Sequence, residues 1–81
     1  MEKSLNSKGY ALFLRQLRAA RQRAGVTQEE LAKRLGETQS FISKCERGER
    51  RIDIVELRAF CNAIGVSFTR FAGRLDRQLG P

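Results

Sequence analysis

Apolar residues recur every three or four positions along most of this chain, which is the spacing of one face of an α-helix. No stretch shows the alternation of apolar and polar residues that a half-buried strand would have. The pattern predicts five helices, at residues 7–24, 28–35, 39–46, 54–64 and 68–79.

Helix-capping residues mark the predicted starts of the second to fifth helices: Thr27, Thr38, Asp53 and Ser67. Thr27 and Asp53 are each followed three positions later by a glutamate, Glu30 and Glu56, which is the spacing of a capping box. Glycines, which commonly end helices, follow three apolar stretches, at Gly25, Gly48 and Gly65. We therefore expect an all-α fold, a compact five-helix bundle that forms a single domain over residues 1–81.

Apolar stripes on three helices define much of the expected core: Tyr10, Phe13, Leu14, Leu17 and Ala24; Ile54, Leu57, Cys61 and Ile64; Phe68, Phe71, Leu75 and Leu79. Arg21 lies on the first of these stripes, although a buried charge without a partner costs several kcal/mol. Glu46, near the inner edge of the third helix, is its expected partner. A structural ion pair between Arg21 and Glu46 would tie the first helix to the third. The alternative is that Arg21 extends to solvent.

Basic residues outnumber acidic ones, with 16 Lys and Arg against 9 Asp and Glu and a formal net charge of +7. Such an excess favours a polyanionic partner, with nucleic acid first and an anionic membrane surface second. A net charge far from zero also keeps a small protein soluble. Charge alone therefore does not decide between these interpretations.

The cysteine and histidine content argues against a metal site. Cys45 and Cys61 are far apart and the chain has no histidine, whereas zinc sites use closely spaced ligand pairs. Both cysteines fall on apolar helix faces, where free cysteine acts as a small hydrophobic residue. The chain also lacks a glycine-rich phosphate loop and paired carboxylates, so we expect no cofactor and no enzymatic activity.

No stretch approaches the roughly 18 apolar residues of a membrane span. The N-terminal stretch also lacks the apolar segment and the small-residue cleavage site of a secretory signal. We expect no membrane partner and a cytoplasmic location, in a bacterial or phage-encoded protein associated with the nucleoid.

The third predicted helix has two different faces. Phe41, Ile42, Cys45 and Glu46 point inward on a helical wheel, and the opposite arc is polar with no acidic member. An α-helix fits the major groove of B-DNA, where side chains that donate and accept hydrogen bonds read the base edges. The residues expected to contact bases are Gln39, Ser40, Ser43 and Lys44. The alternative is an ordinary amphipathic surface helix.

Residues that flank this helix are suited to DNA phosphates. The first turns of the second and third helices offer free backbone N–H groups, and a basic segment follows the third helix. The expected phosphate contacts are Gln28, Thr38, Arg47, Arg50 and Arg51. In this division the phosphate contacts position the protein and the base contacts specify the sequence.

Three segments resemble the Cro/C1-type helix-turn-helix family, the phage-repressor-like or XRE-family DNA-binding domains: LRAARQRAGVTQEELAKRLG, TQSFISKCERGERR and LRAFCNAIGVSF. The similarity spans about residues 14–71, with the helix-turn-helix at 28–46. Its distinctive features are the Thr-Gln that opens the second helix, the Leu-Ala pair, the glycine turn, the Ile-Ser pair and the Glu-x-Gly after the third helix.

The resemblance implies a lambda-repressor-like domain whose third helix enters the major groove of double-stranded DNA. It also implies a homodimer on two half-sites about one helical turn apart, and it supports both the DNA contacts and the Arg21–Glu46 pair. One departure from the family is Glu37, where a small apolar residue often follows the turn glycine. The Glu37 carboxylate would weaken DNA binding unless it points away from the phosphates.

Apolar residues of the fifth helix are the expected dimer interface: Phe68, Phe71, Leu75 and Leu79. The helix is longer than a minimal domain needs to close its core, which suggests that its outer part packs against a twofold mate. The alternative is that these residues complete the core of the monomer.

The predicted function is sequence-specific transcriptional regulation, as a repressor that binds a palindromic operator. An antitoxin-like module, which holds a toxin-like protein partner and also binds its own operator, is the main alternative. Nonspecific packaging of nucleic acid would show weak sequence preference and a steep salt dependence. The mixed polar face of the third helix argues against packaging, for which Lys and Arg alone would suffice.

Overall fold

Five α-helices follow one another in the computed structural model, which describes residues 8–81: α1 (Tyr10–Arg23), α2 (Gln28–Leu35), α3 (Gln39–Glu46), α4 (Ile54–Ile64) and α5 (Phe68–Leu79). The predicted all-α fold and its five helices are confirmed. The predicted start of the first helix at residue 7 lies outside the described residues. Its end lies one residue earlier than expected, because Ala24 is the C-cap.

The predicted caps form the expected hydrogen bonds. In the capping box of α2 the Thr27 hydroxyl accepts from Glu30 N at 3.0 Å, and Glu30 Oε1 accepts from Thr27 N at 3.0 Å. The box of α4 is equivalent, with Asp53 Oδ1 accepting from Glu56 N at 2.7 Å. Each cap satisfies backbone N–H groups that have no acceptor within the helix, so these polar residues define where the helices begin.

A left-handed glycine makes the tight connection between α2 and α3. Gly36 has φ +69° and ψ +32°, a conformation that costs other residues roughly 1–2 kcal/mol. The N–H of Gly36 donates to Lys33 O at 3.2 Å and the N–H of Glu37 donates to Ala32 O at 2.8 Å. These bonds close α2 in the manner of a Schellman motif, and α3 begins almost immediately afterwards.

The core lies where the five helices meet. α2 packs on α3 and α4, α5 packs on α4 and α1, and α1 also contacts α3. The largest fully buried side chains are Leu17, Leu31, Ile42, Cys45 and Cys61. The rings of Phe13 and Phe71 meet edge to face with centroids 6.1 Å apart, a favoured aromatic geometry, and this contact anchors α5 on α1.

Three residues assigned to the core from the sequence, Ile54, Ala24 and Leu79, are exposed, so those assignments are wrong. Ile54 is 69% exposed, because it directly follows the N-cap Asp53, and the residue that reaches the core at this end is Ile52. Ala24 is exposed because α1 has already ended there and the chain is turning toward Val26. Helical periodicity does not apply to positions at or beyond a helix end.

Candidate nucleic-acid interface

The outward face of α3 carries the side chains that the sequence assigned to base contacts. Gln39, Ser40 and Lys44 are exposed and Ser43 is half-buried. On the other side of the helix Ile42 and Cys45 are completely buried, and these two residues fix which way the polar face points.

Gln28 and Gln39 bring the starts of α2 and α3 together. Gln39 Nε2 donates to Gln28 Oε1 at 3.4 Å, and Gln28 Nε2 donates to Glu46 Oε1 at 2.9 Å. Gln28, which was assigned to a phosphate contact, therefore lies beside Gln39, which was assigned to a base contact. The orientation of both amides is set from beneath by a buried carboxylate.

That carboxylate also joins α1 to α3. Arg21 Nε donates to Glu46 Oε2 at 2.6 Å and Arg21 Nη2 donates to Glu46 Oε1 at 3.0 Å, a bidentate pair. The remaining Nη1 of Arg21 donates to Val26 O at 2.9 Å, just before α2 begins. The structure thus brings together the two residues that the helical wheel paired.

Opposing influences act on the pKa of Glu46. Burial alone would raise this pKa, since the Glu46 side chain is only 3% exposed. Hydrogen bonds from Arg21 and Gln28 act in the opposite direction, as do the positive charges of Arg21 and Arg18. Together they hold the pKa below its usual value. The carboxylate is therefore ionised near neutral pH. Its negative charge is enclosed by donors and is not presented on the outer face of α3.

Arg18 belongs to this network although the sequence did not indicate it. Its Nε lies 3.5 Å from Glu46 Oε1, and about half of its side chain is exposed. Arg18 lies one helical turn before Arg21 on α1. This i, i+3 spacing could have indicated that both arginines reach the same partner. Because Gln28 shares the same carboxylate oxygen, Arg18 adds positive charge next to the start of α2.

After α3, two basic residues are paired with acids. Arg47 Nε donates to Glu49 Oε2 at 2.8 Å, and Arg47 Nη1 also donates to Ser43 Oγ. Both partners of this ion pair are about half exposed. Solvent and salt weaken such a pair, so Arg47 can exchange Glu49 for a phosphate.

The guanidinium of Arg50 is already bound by other residues of the protein and is therefore less available to a DNA phosphate. Its Nη1 donates to Glu56 Oε1 at 2.7 Å and to Arg51 O at 2.8 Å, and its guanidinium lies 4.8 Å from the centroid of the Phe41 ring. The hydrogen bond to Glu56 raises the pKa of Arg50 above its usual value. Arg50 therefore joins the exit segment of α3 to the start of α4.

Arg51 stacks on a different aromatic ring. Its guanidinium lies 4.1 Å from the centroid of Tyr10, a cation–π contact. The Tyr10 hydroxyl accepts a hydrogen bond from Ile52 N at 3.0 Å. This pair of contacts fixes the exit segment on α1 and holds the basic group of Arg51 in place.

The four residues assigned to a dimer interface have different environments. Phe71 is buried in the core of the monomer against Phe13, so its assignment to an interface is wrong. Phe68 and Leu75 are partly buried against the same core, and Leu79 is 49% exposed. Of these four residues, Leu79 at the outer end of α5 therefore offers the most apolar surface to another molecule.

An apolar groove adjoins that outer end. It has a volume of about 560 Å³, and its lining includes Tyr10, Ile52, Ile54, Leu57, Leu75 and Leu79. Val55, the neighbour of Ile54 in α4, is 74% exposed. The sequence missed Ile54 and Val55 as surface residues. Both residues directly follow the N-cap and precede the first core residue of α4, and this position could have predicted their exposure.

Within residues 8–81 no group of His, Cys, Asp or Glu could hold a metal ion. Cys45 and Cys61 are buried free thiols, and burial raises the pKa of both. In the same part of the chain no helix is long and apolar enough to cross a membrane.

Comparisons with known proteins agree with this geometry. A family model described as helix-turn-helix matches residues 17–71. A relative from Sinorhizobium fredii, the "Uncharacterized HTH-type transcriptional regulator y4dJ", is 40% identical over 56 residues, which are 69% of this chain and 73% of the relative. A solved structure of an "XRE-family like protein" from Pseudomonas syringae pv. tomato matches with a TM-score of 0.90 and 41% identity, over 99% of this chain and 96% of that one.

Proposed function

This chain belongs to the Cro/C1-type helix-turn-helix family, and on that premise we propose that it is a repressor that binds a palindromic operator as a homodimer. The family is one of DNA-binding transcriptional regulators and not of enzymes. The observation that carries the proposal is the outward face of α3, which is polar and free of acid, while the one carboxylate of that helix is buried beneath it.

Base recognition rests on the chemistry of that face. The Gln39 amide can donate to and accept from adenine, and Lys44 can donate to guanine O6 and N7. Ser40 and Ser43 can serve either base. The contact between Gln39 and Gln28 supports this role, because an amide that is already oriented loses less conformational freedom on binding.

Phosphate contacts are proposed on both sides of α3. Gln28 and Thr38 stand at helix starts, where backbone N–H groups favour anions. Arg47 and Arg51 follow α3, and the half-exposed Arg18 is added to the set. Arg50 acts in this proposal chiefly by positioning the exit segment, because its guanidinium is already held by Glu56.

The homodimer is proposed to form through the apolar groove and its rim. Ile54, Val55 and Leu79 are large apolar residues that are between 49% and 74% exposed, and the groove beside them is lined almost entirely by apolar groups. In this proposal the two copies of α3 in the dimer bind half-sites about one helical turn apart, the spacing general to such repressors. The same apolar face also favours the alternative of an antitoxin-like module that binds a toxin-like protein.

Selection of binding sites from a random duplex pool tests the proposal. We would use about 150 mM salt, where the screening length is about 8 Å, and compare Gln39→Ala and Lys44→Ala with the wild type. The wild type is expected to enrich a palindrome, and each variant is expected to lose preference at particular positions, by about 1–3 kcal/mol for each lost bidentate contact.

Lys33→Ala is the matched control, because it removes the same charge from an exposed position on α2. It should leave the selected motif unchanged. If no motif is enriched and all binding disappears as salt rises, the repressor proposal fails. The apolar face would then be tested as the site of a protein partner.

A further inference from the structure

A second groove is lined by none of the residues proposed to read bases. It is formed by the second half of α1, the α4–α5 connection and the first half of α5, and its volume is about 360 Å³. Three arginines line it, Arg23, Arg70 and Arg74, and within residues 8–81 no acidic residue does. No residue of α3 reaches it, so the DNA-binding proposal does not account for this concentration of positive charge.

The start of α5 adds to the positive potential of the groove. Ser67 is the N-cap of this 12-residue helix and accepts from Arg70 N at 3.1 Å. The N–H groups of the first turn that precede Arg70 have no acceptor within the helix. The positive end of the helix dipole favours an anion there.

One residue that lines the groove, Gln16, has a buried amide. Gln16 is only 8% exposed, and its Nε2 donates to Phe71 O at 2.9 Å. Its Oε1 is buried and accepts no hydrogen bond from any described residue. An unpaired buried acceptor is energetically unfavourable, and a ligand that carries a hydrogen-bond donor would recover part of that cost.

We propose that this groove binds a small organic phosphate, with the phosphoryl group held by Arg23, Arg70 and Arg74 and a hydroxyl or amine donor of the organic part directed to Gln16. Three guanidinium groups offer more donors than one carboxylate accepts, and they suit the several oxygens of a phosphoryl group. Apolar atoms of Ala20, Val66 and Phe71 line the rest of the groove. These atoms suit a carbon skeleton better than a bare ion.

The dimensions favour a small molecule over a second duplex. The volume lies at the lower end of the range for small-molecule sites, about 300–1,000 Å³. The site is separate from α3, so its occupancy can be measured without DNA.

The test is an NMR titration of the ¹⁵N-labelled full chain with ribose 5-phosphate, and separately with ribose and with inorganic phosphate. We expect saturable shifts of backbone amides around Arg23, Val66, Ser67 and Arg70 with ribose 5-phosphate. Ribose should cause none, and inorganic phosphate should bind more weakly. Arg70→Gln/Arg74→Gln should weaken ribose 5-phosphate binding at least about tenfold, since hydrogen bonds to charged groups are lost.

Two further variants separate this site from general attraction to a basic protein. Arg15→Gln/Arg77→Gln removes the same charge from exposed positions of α1 and α5 outside the groove, and it should change the dissociation constant less than about twofold, the effect of screened surface charge. Gln16→Met should weaken ribose 5-phosphate about fivefold, as expected for one lost hydrogen bond, and leave inorganic phosphate unchanged.

Several results would overturn the proposal. They are no saturable shift in the groove, equal loss of binding in the two arginine double variants, and equal affinity for ribose 5-phosphate and inorganic phosphate. Shifts of the groove amides by a duplex of arbitrary sequence, without any by ribose 5-phosphate, would identify a second DNA contact instead.

Discussion

Glu46 is a single carboxylate that serves three parts of the molecule. It accepts from Arg21 of α1, it accepts from Gln28 at the start of α2, and it belongs to α3 itself. A buried charge pair contributes little net stability compared with an apolar pair, but removal of one partner leaves the other charge uncompensated. Glu46 therefore matters most for the orientation of the residues around it.

Replacement of Glu46 tests this role through pH. Since its pKa is lower in the folded than in the unfolded state, the carboxylate contributes stability that is complete above the unfolded-state value of about 4.3. That stability is lost as the pH falls through the folded-state value. At pH 7 we expect Glu46→Gln to lower the free energy of unfolding by about 3 kcal/mol, a difference that shrinks below about pH 4.

Urea unfolding of both proteins between pH 7 and pH 2.5 measures this difference. Glu49→Gln is the control, because Glu49 also pairs with an arginine and has a lowered pKa but is exposed, so its replacement should change the stability little. A difference between wild type and Glu46→Gln that does not vary with pH would contradict the assigned ionisation.

At the scale of helices, α1 and α3 are held together by ion pairs that all end on Glu46, from Arg21 and from Arg18, and by apolar side chains. The bidentate pair between Arg21 and Glu46 lies beside Leu17 and Ile42, which are essentially fully buried. The relation of these two helices decides how the polar face of α3 is presented. The interaction energy between the Arg21 and Glu46 side chains therefore measures how strongly this pair holds α1 and α3 together.

A double-mutant cycle measures that coupling. We expect Arg21→Met and Glu46→Met each to destabilise the protein by about 3 kcal/mol, because each leaves a buried charge alone. The double variant should lose less than the sum by at least about 1 kcal/mol. Equilibrium unfolding of the four proteins gives the coupling energy. Additive losses would show that the two side chains are neighbours without a significant interaction.

At the scale of the whole molecule, the surface is divided into three distinct regions. The outward face of α3 is polar, the groove between α1 and α5 is basic, and the face formed by the start of α4 and the end of α5 is apolar. A large apolar area on a small soluble domain usually marks an interaction site. The last region is therefore the natural place for a second copy.

Dimerisation through the apolar face is tested by sedimentation of Val55→Asp and Leu79→Asp. Both residues are exposed in the monomer, so each variant should fold normally. A charge buried at an apolar interface should weaken the dimer at least about tenfold. Leu75 is a poorer choice because it packs partly against the core.

Asn62→Asp is the control for these variants, since it adds the same charge at an exposed position of α4 outside the apolar groove. It should leave the dimer unchanged. Folded Val55→Asp and Leu79→Asp proteins that remain dimeric would place the interface on another face. A wild-type protein that is monomeric at micromolar concentration would contradict the homodimer. The apolar face would then be tested for binding of a different protein.

Much of this protein is determined locally, and for that reason the sequence alone predicted it. Caps such as Thr27 and Asp53 act on residues three positions away, and the helical period relates neighbours on one face. The helix bounds, the polar face of α3 and the position of Arg21 on an inward face all follow from such short-range rules. The Cro/C1-type resemblance rests on the same local patterns.

Packing between distant segments decided the rest. It buried Phe71 against Phe13 and brought Arg51 to Tyr10. It also brought Arg23, Arg70 and Arg74 to one groove, which Gln16 lines as well. The helical period predicts which side of a helix faces inward. The neighbouring helix determines which residues on that side are buried against it. Those outcomes therefore belong to the tertiary structure.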